Sequence, residues 1–412
     1  MIAVVCAIML IGARPAPAIN PTIFESPLLP VRSTIVEGLR QGLGEQAYVT
    51  FAEWLVDARP EYRRLGAEGL AASVAKGDEK AHQLLETALA ETDPVVKAAI
   101  ALALGTVAGP GAGDVLVTTY KFDDGADPGL TLAYLRAIER CGQPGVDRLL
   151  GLATSGNDND RSAAVAAFLQ MRSPAAFQAL PELVGDPHLK GDDRVSLVRS
   201  IDRVTLEPKA VQAWRDLLLG HPKFDAETQK AILDLLARHK SLGGVELINF
   251  LTSQLDGNAA TACYGIRLGK LNDAAPILVQ AIDSEKRTEA DRVVILQALR
   301  ALDDRTALPL VKKILEGMGS AELQGEALMT LAVFDPPTGL KLAIEVVDGA
   351  RPDLIPAAVR VLGKSPEWAK KLGERYRAKQ LPETVRGAVI EVLDQHARDN
   401  EEINNLLKTI LK

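Results

Sequence analysis

The stretch that decides the fold reads Asp93-Pro94-Val95-Val96-Lys97-Ala98-Ala99-Ile100-Ala101-Leu102-Ala103-Leu104-Gly105. Asp93 is a residue type that caps helices, and proline at the next position suits a first helical turn. The apolar residues that follow recur three and four positions apart, and Gly105 is typical of a helix end. The stretch therefore predicts a helix with a defined start and one broad apolar face.

Weaker copies of this pattern recur along the chain at a spacing of about 32 residues, and a fixed period of that size indicates a repeat architecture. The predicted helix starts are Pro60, Pro94, Pro128, Asp158, Gly191, Ala226, Asn258, Glu289, Ala321, Pro352 and Pro382. These starts define eleven units.

A second series of helices is predicted between the first. Its starts carry a cap or an acid before a first-turn proline, as in Ser173-Pro174, Glu207-Pro208, Asp335-Pro336 and Ser365-Pro366. Helices are predicted over 78–90, 304–316, 366–377 and, at the carboxyl end, 399–411. Each unit is thus a helix pair, and because a lone pair cannot bury its apolar stripe, neighbouring pairs must stack.

These residues resemble HEAT repeats of the short bacterial type that is also found in phycobilisome lyases. The strongest match is 93–105, with looser matches at 61–70 and 383–393, and the resemblance covers about 45–412. It implies an all-α, right-handed α-solenoid of about eleven antiparallel helix pairs, HEAT- or armadillo-like, closed by a capping C-terminal helix. It implies little about activity, because such repeats form adaptor surfaces in unrelated proteins.

Composition narrows the class of protein. Hydrophobic residues make up 47% and charged residues 25%, as in soluble proteins, whereas aromatic residues make up only 4%, which is low for a sandwich, a barrel or a deep cofactor pocket. The formal net charge of -7 makes nucleic acid a poor partner. Three cysteines exclude a scaffold held by several disulfides.

The first residues predict export. An apolar run at 2–12 is followed by Ala16-Pro17-Ala18, a small-x-small pattern typical of signal peptidase cleavage, although no basic residue precedes the run. We expect a signal peptide at 1–18, an N-terminal extension and cap at 19–44, with 19–30 extended, and the solenoid at 45–412. The expected location is periplasmic or secreted, with no transmembrane segment in the mature chain; the alternative is a cytoplasmic protein with a buried first helix.

The sequence supplies no clear catalytic, cofactor or metal motif. The five histidines are widely separated, and no zinc spacing of histidine or cysteine occurs. Cys141 and Cys263 fall in distant units, so both thiols are predicted to be free, and Cys263 lies among small residues that suggest core packing. Acidic clusters such as 157–160 occur beside helix starts, where capping explains them better than calcium binding.

Basic residues recur near the starts of the second helices of the pairs. These binding candidates are Arg63, Arg64, Lys97, Arg161, Arg194 and Arg292. The favoured interpretation is structural: an acid such as Asp93 pairs with the basic residue of a neighbouring unit and forms a ladder. The alternative is a binding role on the concave face. If the ladder consumes these charges, loops such as 109–113 and 157–160 become the candidates.

One segment departs from the acidic balance. It is a basic patch beside Trp368 and Tyr376, made by Lys370, Lys371, Arg375, Arg377 and Lys379. Such a patch can hold an acidic partner. The simpler interpretation is a solvated outer helix whose charges balance acids elsewhere.

Together these patterns predict a non-enzymatic protein-binding or scaffold module, a monomer that uses the concave face of a HEAT-like solenoid in the bacterial cell envelope. The partner is another protein, without nucleic acid. The alternative is a lyase-like or chromophore-binding HEAT protein similar to phycobilisome lyases, which would need a concave cluster of Tyr, Arg and Asp, with or without a Cys. A third possibility is descent from a HEAT segment of large envelope proteins; a redox role would then need a partner chain.

Overall fold

The computed structural model describes residues 29–107, 109–120, 127–155, 158–221, 223–284, 287–317 and 319–412. Within these ranges the chain is helical and contains no β-strand, as the sequence predicts. It forms two compact units, one ending at Leu217 and the other running from Leu218 to Lys412. The predicted signal peptide at 1–18 lies outside the described residues.

The first unit opens with α1 (Leu29–Leu43) and continues through five helix pairs. These pairs are α2 (Ala47–Leu55) with α3 (Pro60–Ser73), α4 (Glu79–Ala88) with α5 (Pro94–Val107), α6 (Gly113–Thr119) with α7 (Pro128–Arg140), α8 (Gln143–Ser155) with α9 (Asp158–Gln170), and α10 (Pro174–Gly185) with α11 (Gly191–Ser200). Helix α12 (Pro208–Gly220) follows.

The second unit has the same plan. It contains α13 (Ala226–Arg238), five further pairs and a last helix. The pairs are α14 (Val245–Ser253) with α15 (Leu255–Gly269), α16 (Ala275–Ile282) with α17 (Glu289–Leu302), α18 (Leu308–Leu315) with α19 (Ala321–Phe334), α20 (Pro336–Glu345) with α21 (Ile355–Leu362), and α22 (Pro366–Arg377) with α23 (Arg386–Ala397). The last helix is α24 (Glu401–Leu411).

Most predicted starts of the second helices are observed at the predicted residue, because local capping fixes them. The Asp127 carboxylate accepts the Leu130 amide at 2.8 Å before α7, and Thr288 and Asp291 form a reciprocal capping box before α17. Three starts differ. Helix α15 begins early and breaks at Asn258, and short 3₁₀ turns at Pro352–Leu354 and Glu383–Val385 precede α21 and α23.

The helices of each unit form two layers. Second helices pack on second helices, as α3 does on α5 and α5 on α7, and as α17 does on α19. Each first helix packs on its own partner through an aliphatic core. Each unit is therefore a HEAT-like α-solenoid, held together by contacts between neighbouring pairs.

The helices at the two ends of the described chain are amphipathic. Helix α1 packs on α3, and it includes residues 29 and 30, which were predicted to be extended; Pro30 is compatible with a first helical turn. Helix α24 buries Ile403, Leu406 and Leu407 against the preceding pair. Among the described residues, no helix combines the length and apolarity required to cross a bilayer.

Candidate functional site

The layer of second helices contains an open groove in each unit. The first groove, of about 480 Å³, is lined by Val36, Glu37, Glu68, Ala71, Ala72, Ala99, Leu102, Ala103, Thr106 and Arg140. The second groove, of about 670 Å³, is lined by Val293, Gln297, Arg300, Ala321, Glu322, Gly325, Glu326, Met329, Asp353, Pro356, Ala357, Arg360 and Glu391. Both volumes fall in the usual range of ligand sites, roughly 300–1,000 Å³.

The first groove has an apolar floor and charges that are already paired. Arg40 donates to both carboxylate oxygens of Glu37, at 2.9 and 2.6 Å, and holds the Glu37 pKa low, at about 2. Glu68 accepts from Arg64 at 3.1 Å. Arg140 donates to the Leu102 carbonyl at 3.1 Å and to the Thr106 hydroxyl at 2.8 Å. The rest of the groove lining is mainly apolar and consists of four alanines with Val36 and Leu102.

The second groove is charged. Arg300 Nη1 lies 2.5 Å from Glu326 Oε1, and Gln297 donates to Glu326 Oε2 at 3.3 Å. Glu326 is only 4% exposed, and its burial raises its pKa even though the Arg300 charge acts to lower it. Arg360 pairs with Glu391 at 2.9 Å, nearer the surface.

Arg63 forms one rung of the predicted ladder, but with a different acid. Its Nε donates to Glu91 Oε2 at 2.6 Å. The partner is therefore Glu91, in the loop between α4 and α5 of the next helix pair, and not Asp93. The same guanidinium donates to the carbonyls of Asp57 and Ala58, at 3.1 and 2.9 Å, just after α2. The ion pair raises the Arg63 pKa and lowers the Glu91 pKa.

The ion pairs observed for three other candidates lie within one helix and add no rung to the ladder. Arg64, Arg161 and Arg292 pair with acids of their own helices, namely Glu68 at 3.1 Å, Asp158 at 2.9 Å and Glu289 at 3.8 Å. Lys97 is half-buried and makes no ion pair with any other described residue.

Carbonyl groups at helix ends are the reason for part of this difference. Arg194 donates to the carbonyls of Val184 and Asp186, at 3.0 and 2.7 Å, where α10 ends. Arg292 donates at 3.3 Å to the Ser284 carbonyl, just after α16. A cation in the first turn of a second helix lies beside the end of its own first helix, where carbonyls lack helical partners. Hydrogen bonds to these nearby carbonyls therefore compete with ion pairs between neighbouring helix pairs.

Junctions of the second unit use polar side chains that the sequence reasoning missed. Gln324, in the first turn of α19, donates to the Gly319 carbonyl at 3.0 Å and accepts from Arg351, which precedes α21. Gln229 of α13 likewise donates to the Phe224 carbonyl at 3.0 Å and accepts from Asn258 at 3.4 Å. A glutamine at the same position of two second helices was the available signal.

The predicted basic patch lies on the first helix of its pair, and its cations are largely paired. Lys370 contacts Glu402 at 2.5 Å, Lys371 contacts Glu367 at 2.6 Å, and Arg375 contacts Asp348 at 2.9 Å. The exposed residues Arg377 and Lys379 follow at the end of α22. The simpler interpretation, an outer helix with balanced charges, describes this arrangement; a binding role for the patch stays a prediction.

The thiols of Cys141 and Cys263 are free, as predicted, and both are buried. Burial raises their pKa values to about 11 and about 12. Among the described residues, no group of three or more His, Cys, Asp or Glu side chains could hold a metal ion.

A tyrosine and an aspartate meet on the second-helix layer of the second unit. The Tyr264 hydroxyl of α15 donates to Asp234 of α13 at 2.5 Å, and Arg267 lies exposed on the next turn of α15. This group has the residue types predicted for the chromophore alternative, except that the neighbouring Cys263 is buried.

No family model matches the chain. No curated protein matches it either. Solved structures do match. The Kap95:Nup1 complex is 12% identical, with 94% of this chain and 62% of that chain covered and a TM-score of 0.45. The karyopherin Kap121p bound to the SUMO protease Ulp1p is 14% identical, with 100% and 49% covered and a TM-score of 0.42. A homology model of the AP-3 complex is 10% identical, with 94% and 79% covered and a TM-score of 0.41.

The chain spans about half, 48%, of the Kap121p chain in another crystal structure that it matches. The likenesses are low in identity and in TM-score, so the assignment of a HEAT-like helical solenoid follows from the helix pairs themselves.

Proposed function

We propose that this chain is a non-enzymatic protein-binding module that engages its partner through the second-helix layer. The observation that carries the proposal is the presence of an open groove on that layer in each unit. Stacked helical repeats provide broad surfaces of this kind, which suit extended contact with another protein. The first groove would contribute apolar contact, and the charged second groove would contribute specificity.

The chemistry of the polar side chains supports binding more than catalysis. The arginines predicted as candidates donate to carboxylates or to helix-end carbonyls, and the two described thiols are buried with raised pKa values. A nucleophile or general base works best with a pKa close to the working pH and with access to substrate.

Affinity capture with the full chain tests the proposal. The wild-type chain should retain one stoichiometric protein partner from the native organism. An arginine in either groove should reduce that capture at least about fivefold. Ala72→Arg would place an unpaired charge in an apolar contact surface, and Ala321→Arg would occupy the carboxylates and the space of the charged groove.

The matched controls are Ala90→Arg and Ala378→Arg, since both alanines are exposed and lie outside the grooves. Equal capture by groove variants and controls would place the binding surface elsewhere. A coloured preparation without a protein partner would contradict the proposal.

A second candidate function is chromophore handling, which the contact between Tyr264 and Asp234 beside Arg267 favours. Addition of a bilin to the full chain would then shift the bilin absorption band, and Tyr264→Phe would reduce the shift. An unchanged bilin spectrum would remove this candidate.

We also propose that the chain is exported, on the strength of the apolar run at 2–12 and Ala16-Pro17-Ala18. Amino-terminal sequencing of the protein from the periplasmic fraction should give a mature chain that begins near Ile19. Recovery of an unprocessed chain from the cytoplasm would contradict this proposal and leave the binding proposal intact.

A further inference from the structure

The second groove has more acidic than basic side chains in its lining. The lining contains four carboxylates and two guanidinium groups, so four negative and two positive charges give it a formal charge of -2. The carboxylates are those of Glu322, Glu326, Asp353 and Glu391, and the guanidinium groups are those of Arg300 and Arg360. Because the groove walls exclude part of the solvent, charges there act more strongly than on an open surface.

Both guanidinium groups of the lining are already engaged. Arg300 pairs with Glu326 at 2.5 Å and Arg360 with Glu391 at 2.9 Å. An acidic ligand would have to displace one of these carboxylates. The groove therefore offers carboxylate acceptors to a ligand, whereas the charge of each lining guanidinium is already balanced by a carboxylate.

The other two lining carboxylates are less strongly engaged. Glu322 is exposed and makes no ion pair with any other described residue. Asp353 lies 3.4 Å from Arg351, whose guanidinium also donates to the Leu315 carbonyl and to Gln324. A cation that enters the groove would meet both carboxylates without breaking the pairs of Arg300 and Arg360.

Glu326 provides an independent indication that the groove can accept further donors from a ligand. A carboxylate can accept about four hydrogen bonds. Glu326 has one close ion contact, from Arg300, and one hydrogen bond of 3.3 Å, from Gln297, although it is only 4% exposed. The charges that act on it from neighbouring helices are those of Arg300, Arg360 and Arg267. Further donors from a ligand would stabilise the ionised carboxylate.

We propose that the second groove binds an extended segment of the protein partner by taking up a basic side chain, an arginine or a lysine, between Glu322, Glu326 and Asp353. This inference depends on the proposed binding function and specifies the chemistry of the partner. Helices α17, α19, α21 and α23 all contribute to the lining, so the segment would cross several successive helix pairs.

Fluorescence anisotropy of labelled peptides tests the inference with the full chain. The probes are three short glycine–serine peptides that carry two arginines, two glutamates or no charge. We expect the arginine peptide to bind at least about tenfold more tightly than the glutamate peptide, and the binding to weaken as salt rises.

Substitutions in the groove provide the decisive comparison. Glu322→Gln should weaken the arginine peptide about threefold, the range of exposed ion pairs. Glu326→Gln should weaken it about tenfold, since a charged hydrogen-bond acceptor is lost at a buried position. The matched control is Glu345→Gln, an exposed glutamate of α20 in the same unit that does not line the groove; it should change binding less than about twofold.

Three results would overturn the inference: tighter binding of the glutamate peptide, no binding of the arginine peptide, or equal weakening by Glu322→Gln and Glu345→Gln. Circular dichroism will check that each variant is folded, and exposed Glu322 leaves a usable variant even if Glu326→Gln unfolds. If the captured partner binds Glu322→Gln and Glu326→Gln like wild type, the inference also fails and the binding function stands. If no partner is captured, the binding function itself fails.

Discussion

The junction between α5 and α7 in the first unit differs from the junction between α19 and α21 in the second. A Cβ atom on Gly105 of α5 would lie 2.5 Å from the Ala137 carbonyl oxygen, so the two backbones nearly touch. A Cβ atom on Gly325 of α19 would lie 3.2 Å from the Ala357 Cβ, a milder overlap that a shift of a few tenths of an ångström relieves.

The polar side chains show the same division. Among the described residues, the buried threonine, glutamine and glutamate side chains all belong to the second unit: Thr228, Gln229, Thr261, Gln324, Glu326 and Thr330. The α5–α7 junction of the first unit combines close backbone contact with exposed hydrogen bonds from Arg140, whereas the α19–α21 junction of the second unit uses the buried side chain of Gln324, which accepts from Arg351. One helical repeat therefore supports two kinds of junction, with different sensitivities to substitution.

The largest expected effect comes from adding a methyl group at the two glycines. Gly105→Ala should destabilise the protein by about 2–3 kcal/mol, because the new Cβ would overlap the Ala137 backbone so far that the two helices must move apart. Gly325→Ala should be within about 0.5 kcal/mol of wild type, since alanine's helix propensity offsets the mild crowding. Urea unfolding followed by circular dichroism measures both. Equal losses would erase the distinction between the junctions.

Loss of a buried amide should come next. Gln324→Leu leaves the Gly319 carbonyl and Arg351 without their partner, and should cost about 2 kcal/mol. The control in the first unit is Gln212→Leu, because exposed Gln212 bonds only to Asp216, one turn away in the same helix, and should cost less than about 0.5 kcal/mol. The same urea titration decides. A neutral Gln324→Leu would show that the polar junctions are dispensable.

The one observed rung of the predicted ladder should have a smaller effect. Arg63→Gln removes two bonds to Glu91 and two bonds to carbonyls after α2, and should cost about 1 kcal/mol. Arg148→Gln is the control, because the pair of Arg148 with Asp114 is exposed and should contribute less than about 0.5 kcal/mol. If the two variants unfold at the same urea concentration, the rung adds nothing to the first unit.

The smallest effect concerns pH, and its sign should differ between the units. Glu91 has a lowered pKa, so its contribution is present above the unfolded value of 4.5 and is lost as pH falls through the folded pKa. Glu326 has a raised pKa, so the folded state gains a proton first and becomes relatively more stable as pH falls towards 4.5.

Unfolding midpoints measured from neutral pH to below 4.5 should therefore respond in opposite directions when the two carboxylates are removed, with the Glu326 effect above 4.5 and the Glu91 effect below it. Compared with wild type, Glu91→Gln should lose less stability on acidification, and Glu326→Gln should lose more. Parallel curves for both variants would contradict the assigned environments.

Sequence reasoning succeeded where the deciding interactions are local. The helix starts of the second series depend on a capping side chain and on the backbone within three residues, as at Asp127 and Thr288. The period of the apolar residues then requires helix pairs to stack, which the structure confirms. Free thiols followed from the wide separation of Cys141 and Cys263.

Reasoning about the site succeeded less, because each predicted cation had several possible partners. Arg194 finds carbonyls at the end of α10, whereas Arg63 also reaches Glu91 of the next pair. Both arginines are near the start of a second helix, so the spacing along the chain does not distinguish them. The sequence predicted a binding surface on the layer of second helices. It did not predict the two grooves or the charge of their linings.

By itself the sequence determined the helical class, the repeat and the positions where most helices begin, since these depend on neighbours a few residues apart. The tertiary structure alone decided which side chains meet across successive helix pairs, because those contacts join residues about one repeat apart. They depend on differences of a few tenths of an ångström in the distance between helix backbones. Gly105 against Ala137 and Gln324 with Arg351 are two such outcomes. The side chains that successive helix pairs bring together make the groove of the first unit apolar and the groove of the second unit charged.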